Sequence, residues 1–127
     1  MVNRLYRSGA FGPNYLDQNR KVFDDMIAYS KAHGWRPILI TFPLSQTLLN
    51  GLGPGFLNNW LYGPLSKANI GNIPYINLLN DPRLKSANLF GDADHLNKEG
   101  ASVVSYLILQ KLIRMGYLPK SADGYEY

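Results

Sequence analysis

Apolar positions recur at a helical spacing in the first third of the chain. Leu16, Val22, Phe23, Met26, Ile27 and Ala32 fall near one face of a helical period. Asn14 stands before them with Asp17 three positions on, a capping-box spacing, and His33-Gly34 closes the stretch. A helix from Asn14 should therefore end in a left-handed glycine, with a histidine in its last turn where the helix dipole favours positive charge. The period then changes. Ile38-Leu39-Ile40-Thr41-Phe42 is a short apolar run, rich in β-branched residues, between Pro37 and Pro43. That is the pattern of a strand covered on both faces, as in a parallel sheet. Leu44 to Gly55 carries Gly51, Gly53, Pro54 and Gly55 and predicts a long loop. Phe56 to Tyr62 begins a second helix, in which Gly63-Pro64 is either a break or the prelude to a new helix start at Leu65, and Gly71 ends the region. Pro74 to Leu79 reads as a second strand, and a loop from Asn80 to Gly91 follows. The last helix should run from Lys98 to Met115, with Val104, Leu107, Ile108, Leu112 and Met115 inward, Gly116 at its end and Pro119 beyond.

The order helix, strand, helix, strand, helix implies right-handed crossovers and an α/β fold: a parallel sheet with helices on both faces. Residues 1–13 show no period and read as a lead-in loop, with room for a short strand at Val2–Tyr6. Residues 14–116 make one α/β domain, and residues 117–127 read as a polar, aromatic, mobile tail.

Composition narrows the function classes. At 127 residues, 46% hydrophobic and 17% charged, the chain is an ordinary globular protein of one domain at most. A formal charge of +4 without any block of like charges gives no support for nucleic-acid binding. The absence of cysteine excludes disulfides and thiol catalysis and leaves the compartment open. The longest apolar runs fall far short of a membrane span, so no membrane segment is expected.

Candidate chemistry concentrates in Phe90 to Ala101. This stretch holds one of the two histidines, His95, with Asp92 and Asp94 just before it and Asn97, a good helix N-cap, just after. Asp92 and His95 should sit in a short loop between a strand and a helix, where a carboxylate can fix the imidazole tautomer that a general base needs. An Asx-turn role for Asp92 is compatible with this one, and Asp94 reads as a solvated or turn-forming carboxylate. Asp92, Asp94 and His95 together are a conceivable cation ligand set, but neighbouring loop residues rarely aim three donors at one point, so no metal is expected.

The stretch resembles the last motif block of the SGNH (GDSL-like) esterase and acyltransferase superfamily, Asp-x-x-His followed by Leu-Asn and Gly-Ala. Here it reads Asp92-Ala93-Asp94-His95, then Leu96-Asn97 and Gly100-Ala101. Upstream, Lys31 to Pro43 match the family's helix, glycine and short strand ending in Thr-x-Pro. The resemblance covers about residues 14–115. It implies a partial flavodoxin-like three-layer fold, in which the two strands are the last of the order 2-1-3-4-5. It also implies His95 as catalytic base, Asp92 as the third triad member, no cofactor, and an acyl ester or acylated carbohydrate as substrate. The loop after the first strand, with Pro43, and the aromatic stretch at Trp60 would contact that substrate.

The family's Gly-Asp-Ser nucleophile block, and the glycine and asparagine of its oxyanion hole, have no counterpart here. Ser45 follows the first strand and is the candidate nucleophile within the chain, although the family uses that loop for substrate contacts. Ser8 and Ser121 follow no convincing strand. The expectation is a C-terminal segment that supplies the Asp–His pair while the nucleophile lies outside the chain, inactive alone. Two strands make an incomplete sheet, so a missing N-terminal half or a second copy should complete it. The alternative is a non-catalytic SGNH-derived structural or carbohydrate-interacting module.

Overall fold

The computed structural model describes residues 13–68 and 70–119. The expected lead-in loop up to Gly12, the Val2–Tyr6 strand, Ser8, Ser121 and the tail beyond Pro119 lie outside the described residues. Helix α1 is Pro13–Ala32, so it begins one residue before the expected cap at Asn14. Proline suits a first helical position, where an N–H would have no intrahelical partner. Gly34, at φ 71°, ends the region as expected. Its N–H donates to the Lys31 carbonyl and that of Trp35 donates to Ser30, the paired bonds of a Schellman motif. The inward face of α1 is narrower than its period suggests. Ile27 is buried and Phe23 half-buried, but Val22 and Met26 are 58% and 63% exposed.

Strands β1 (Leu39–Thr41) and β2 (Tyr75–Asn77) pair in parallel, which makes the chain a mixed α/β protein. Leu39 N–H donates to Pro74 (2.9 Å) and Leu78 N–H to Thr41 (3.0 Å). The expectation that β1 is covered on both faces does not hold: it is half-buried along its length, and Phe42 is 56% exposed. Among the described residues each strand has a neighbour on one side only.

The segment expected as a loop after β1 contains helix α2 (Gln46–Leu52). Its glycines suggested irregular chain, yet Ser45 starts the helix by accepting the Leu48 N–H on its hydroxyl. A continuous helical run follows, made of α3 (Pro54–Leu57), a π-helical turn (Asn58–Tyr62) and α4 (Gly63–Lys67). Gly63-Pro64 is therefore neither a break nor a separate start. The helix widens instead, and Gly63 N–H donates to the Asn58 carbonyl five residues back. A Cβ on Gly63 would lie 2.5 Å from that oxygen, so the π turn requires glycine there.

By its contacts the chain forms two compact units. One holds the described parts of Met1–Leu39 and Leu49–Tyr75, the other those of Ile40–Leu48 and Ile76–Tyr127. In the first, Ile27 and Ile73 are buried. The second carries the denser core: Ile76, Leu78, Leu79, Leu84, Leu89, Val104 and Leu107, with Leu78 fully enclosed. Two 3-10 turns, Pro82–Leu84 and Ala87–Leu89, pack on helix α5 (Lys98–Arg114). Val104 and Leu107 of the expected face are buried, and Ile108, Leu112 and Met115 are half-buried. Gly116, at φ 72°, closes α5 with a second Schellman motif: its N–H donates to Ile113 and that of Tyr117 to Leu112.

The start of α5 lies hard against Leu89. A Cβ on Gly100 would overlap the Leu89 carbonyl oxygen and crowd Leu96 Cδ2. We expect Gly100→Ala to destabilise the protein by about 2 kcal/mol or more, the range of overpacked cores. Gly51→Ala meets open space in α2 and should stabilise by about 0.5 kcal/mol. Urea denaturation followed by circular dichroism reads both, and equal midpoints for the two variants would contradict the packing described.

Candidate functional site

The site is built in the second unit, between β2 and α5. After β2 the chain turns twice. Asn77 Oδ1 accepts the Leu79 N–H, and Asp81 caps the first 3-10 turn by accepting Arg83 N–H. Asp81 also holds the Arg83 guanidinium with both carboxylate oxygens, at 2.8 and 2.6 Å, and this keeps its pKa down at about 2. The second turn delivers Phe90, which forms an isolated antiparallel bridge with Leu96. Gly91 N–H donates to the His95 carbonyl and Asn97 N–H to that of Leu89. The loop that carries the candidate residues is therefore tied across its neck. Asn97 secures one end: its Oδ1 accepts the Gly100 N–H at 2.9 Å, as the expected N-cap, and its Nδ2 donates to the Asn88 carbonyl at 2.6 Å.

Inside the loop, Asp92 does two jobs. Its Oδ1 accepts the N–H groups of Asp94 (3.1 Å) and His95 (2.8 Å), an Asx turn that folds the chain back. The same carboxylate meets His95 Nδ1 at 2.9 and 3.0 Å. This places the Nδ1 proton between Asp92 and the ring and leaves Nε2 as the acceptor, the tautomer of a general base. Asp94 Oδ1 also approaches Nδ1, at 3.1 Å. The backbone N–H groups of Asp94 and His95, then the imidazole, hold the Asp92 pKa at about 2. The His95 pKa is raised, first by its hydrogen bond to Asp92 and then by the charges of Asp92 and Asp94. The side chains are exposed, at 76% for His95 and 59% for Asp92, so water screens these pairs and they stabilise the fold little.

Ser45 reaches the same loop through its backbone. Its N–H donates to the Ala93 carbonyl at 3.1 Å, which fixes the chain after β1 to the turn between Asp92 and Asp94. Ser45 is buried, 7% exposed as a residue, and its hydroxyl serves as the α2 cap. No hydroxyl among the described residues is hydrogen-bonded to His95. Pro43 is buried in the second unit, whereas Trp60 belongs to the first unit, on the π turn, with its ring 6.3 Å from that of Phe56. Against expectation, the donor atoms of Asp92, Asp94 and His95 do converge, all within 4.8 Å of one another, because the Asx turn curls them together. A cation there would have to displace the imidazole from both carboxylates.

Pattern reasoning missed the Ser45–Ala93 tie and the second carboxylate on Nδ1. The tie is a backbone bond without a side-chain signal; the neighbouring α2 cap had one, since Ser45-Gln46-Thr47-Leu48-Leu49 is a serine cap before apolar residues, obscured by the glycines behind it. No protein-family model, curated protein or solved structure matches the chain.

The two carboxylates can be separated by titration. His95 should titrate above the ordinary 6.5 in NMR spectra, with Asp92→Asn lowering its midpoint more than Asp94→Asn. A midpoint insensitive to Asp92→Asn would refute the pairing. The folded state holds the His95 proton more tightly than the unfolded state. Its contribution to stability is therefore complete below 6.5 and is lost as pH rises through the raised pKa. The Asp92 contribution is present above 3.8 and is lost as pH falls towards about 2.

Proposed function

We propose that this chain is the C-terminal segment of a serine ester hydrolase or O-acyltransferase of SGNH type, supplying an Asp–His pair to a serine that lies outside it. The observation that carries this reading is the Asp92 carboxylate on His95 Nδ1, at 2.9 and 3.0 Å, in a loop after a parallel strand and directly before a helix. On this reading β1 and β2 are the last two strands of a flavodoxin-like sheet, and the remaining strands are contributed by the rest of a longer protein or by a second copy.

The chemistry follows from the tautomer. As the serine oxygen attacks an ester carbonyl, His95 Nε2 takes the hydroxyl proton. The tetrahedral adduct collapses, the carbon–oxygen bond to the alcohol breaks, and Nε2 returns the proton to the departing oxygen. Water or an acceptor hydroxyl, deprotonated by the same nitrogen, then resolves the acyl-serine. Asp92 stays ionised throughout and steadies the imidazolium. An acyl ester or acylated carbohydrate is the substrate class, with Pro43 and Trp60 as candidate contacts. One observation favours a second reading, a non-catalytic SGNH-derived structural or carbohydrate-interacting module: among the described residues no hydroxyl engages His95.

The isolated chain should not turn over p-nitrophenyl acetate, and turnover abolished by Ser45→Ala would instead make Ser45 the nucleophile. The native protein, recovered from its source cells through this chain, should react with a fluorophosphonate at a serine outside residues 1–127. That labelling should fall at least a hundredfold in His95→Ala. Absence of labelling from the native protein would leave the non-catalytic module as the correct reading.

The incomplete sheet makes a prediction of its own. Sedimentation of the isolated chain at micromolar concentration should show a dimer or larger, since a second copy can cover the apolar surface that a missing half would cover. A well-folded monomer would exclude self-association as the way the sheet is completed.

A further inference from the structure

The first unit contains a cavity of about 330 Å³ that shares no residue with the Asp92–His95 loop. Its volume falls within the usual range of small-molecule sites. One wall is α1, through Asp17 and Arg20. The other is the widened helix, through Asn58 and Asn59 of the π turn, Gly63-Pro64 and Lys67. π turns inside helices frequently occur at functional sites. Here the turn has a visible cause, since Gly63 admits the Asn58 carbonyl where any side chain would clash.

The lining is rich in hydrogen-bonding groups that the described residues leave unused. Among the described residues the Asn58 and Asn59 side-chain amides and the Lys67 ammonium make no hydrogen bond or ion pair. Arg20 has one ion pair among the described residues, a single 3.3 Å contact from its Nη1 to Asp17, whose side chain is 70% exposed. A guanidinium offers five N–H donors in a planar fork, so most of its capacity remains available. Exposed ion pairs of this kind are weak and readily exchanged. Among the described residues that line it, the two cations outnumber the one carboxylate, and Pro64 is the only apolar side chain.

We propose that this cavity binds a small polyhydroxylated anion, with its carboxylate or phosphate on Arg20 and Lys67 and its hydroxyls on the Asn58 and Asn59 amides. A guanidinium matches the two oxygens of a carboxylate or phosphate, and an ammonium adds a point charge. A side-chain amide both donates and accepts, and so does a hydroxyl. The anion displaces Asp17 from Arg20 on entry.

The test uses the full 127-residue chain and two-dimensional NMR of the side-chain amides. The probes are glucose 6-phosphate, glucuronate, glucose and inorganic phosphate. At least one of the sugar anions should shift the Asn58 and Asn59 amides saturably, at least tenfold more tightly than glucose or inorganic phosphate. A response to glucose 6-phosphate alone assigns the anion as phosphate, and one to glucuronate alone as carboxylate. Arg20→Gln and Lys67→Met should each weaken binding at least fivefold, with the rest of the spectrum reporting an intact fold. The proposal is overturned if no probe gives a saturable shift, if glucose or inorganic phosphate binds as tightly as the sugar anions, or if neither variant weakens binding.

Discussion

Helix α5 starts so close to the Leu89 carbonyl that only glycine fits at position 100. The rest of the candidate site depends on that approach. With no Cβ in the way, the Leu89 carbonyl accepts the Asn97 N–H, and Asn97 can cap the helix while reaching back to Asn88. Both ends of the His95 loop are thereby pinned to the second 3-10 turn. Each of these hydrogen bonds contributes only about 1 kcal/mol net. What makes the arrangement unique is steric: a tightly packed helix start has one register, and the loop must close within it.

The pinned loop explains why an exposed pair is so well oriented. Charge attraction in water would hold His95 weakly. The Asx turn at Asp92 brings the imidazole to the carboxylate through backbone hydrogen bonds, so covalent connection achieves what Coulomb energy at the surface could not. The cost is a short loop that also carries Asp94 to the same nitrogen. A surface covering this loop would lower the local dielectric and strengthen both contacts, so the chemistry of His95 is sensitive to whatever covers it.

The first unit follows a different logic. Its helical run passes through Gly63-Pro64 by widening, which a proline without an N–H and a glycine without a Cβ make possible together. Helix α1 keeps Val22, Met26 and Tyr29 at the surface, and Tyr29 lies with its ring 4.0 Å from that of His33. Among the described residues the buried apolar side chains lie mainly in the second unit, where β2, the 3-10 turns and α5 are close in sequence and pack locally.

Local chemistry was legible in the sequence wherever a single residue type has one conformational use. Gly34 and Gly116 marked helix ends because a left-handed residue is cheapest as glycine, and Asn97 marked a helix start because its side chain can replace a missing backbone partner. Both strands and the Asp92–His95 contact were readable for the same reason: short range and a fixed pattern. The tertiary structure alone decided what depends on neighbours distant in sequence. An apolar period states which residues could face a core but not whether a core is there to meet them, so Val22, Met26 and Phe42 are exposed despite their pattern. Glycines between residues 51 and 55 signalled a loop, yet α2 runs through Gly51 and α3 through Gly55, with Ser45 capping α2 and anchored to Ala93. That anchor joins positions 48 residues apart through one backbone hydrogen bond, and backbone atoms are identical in every residue, so no side-chain pattern could have announced it.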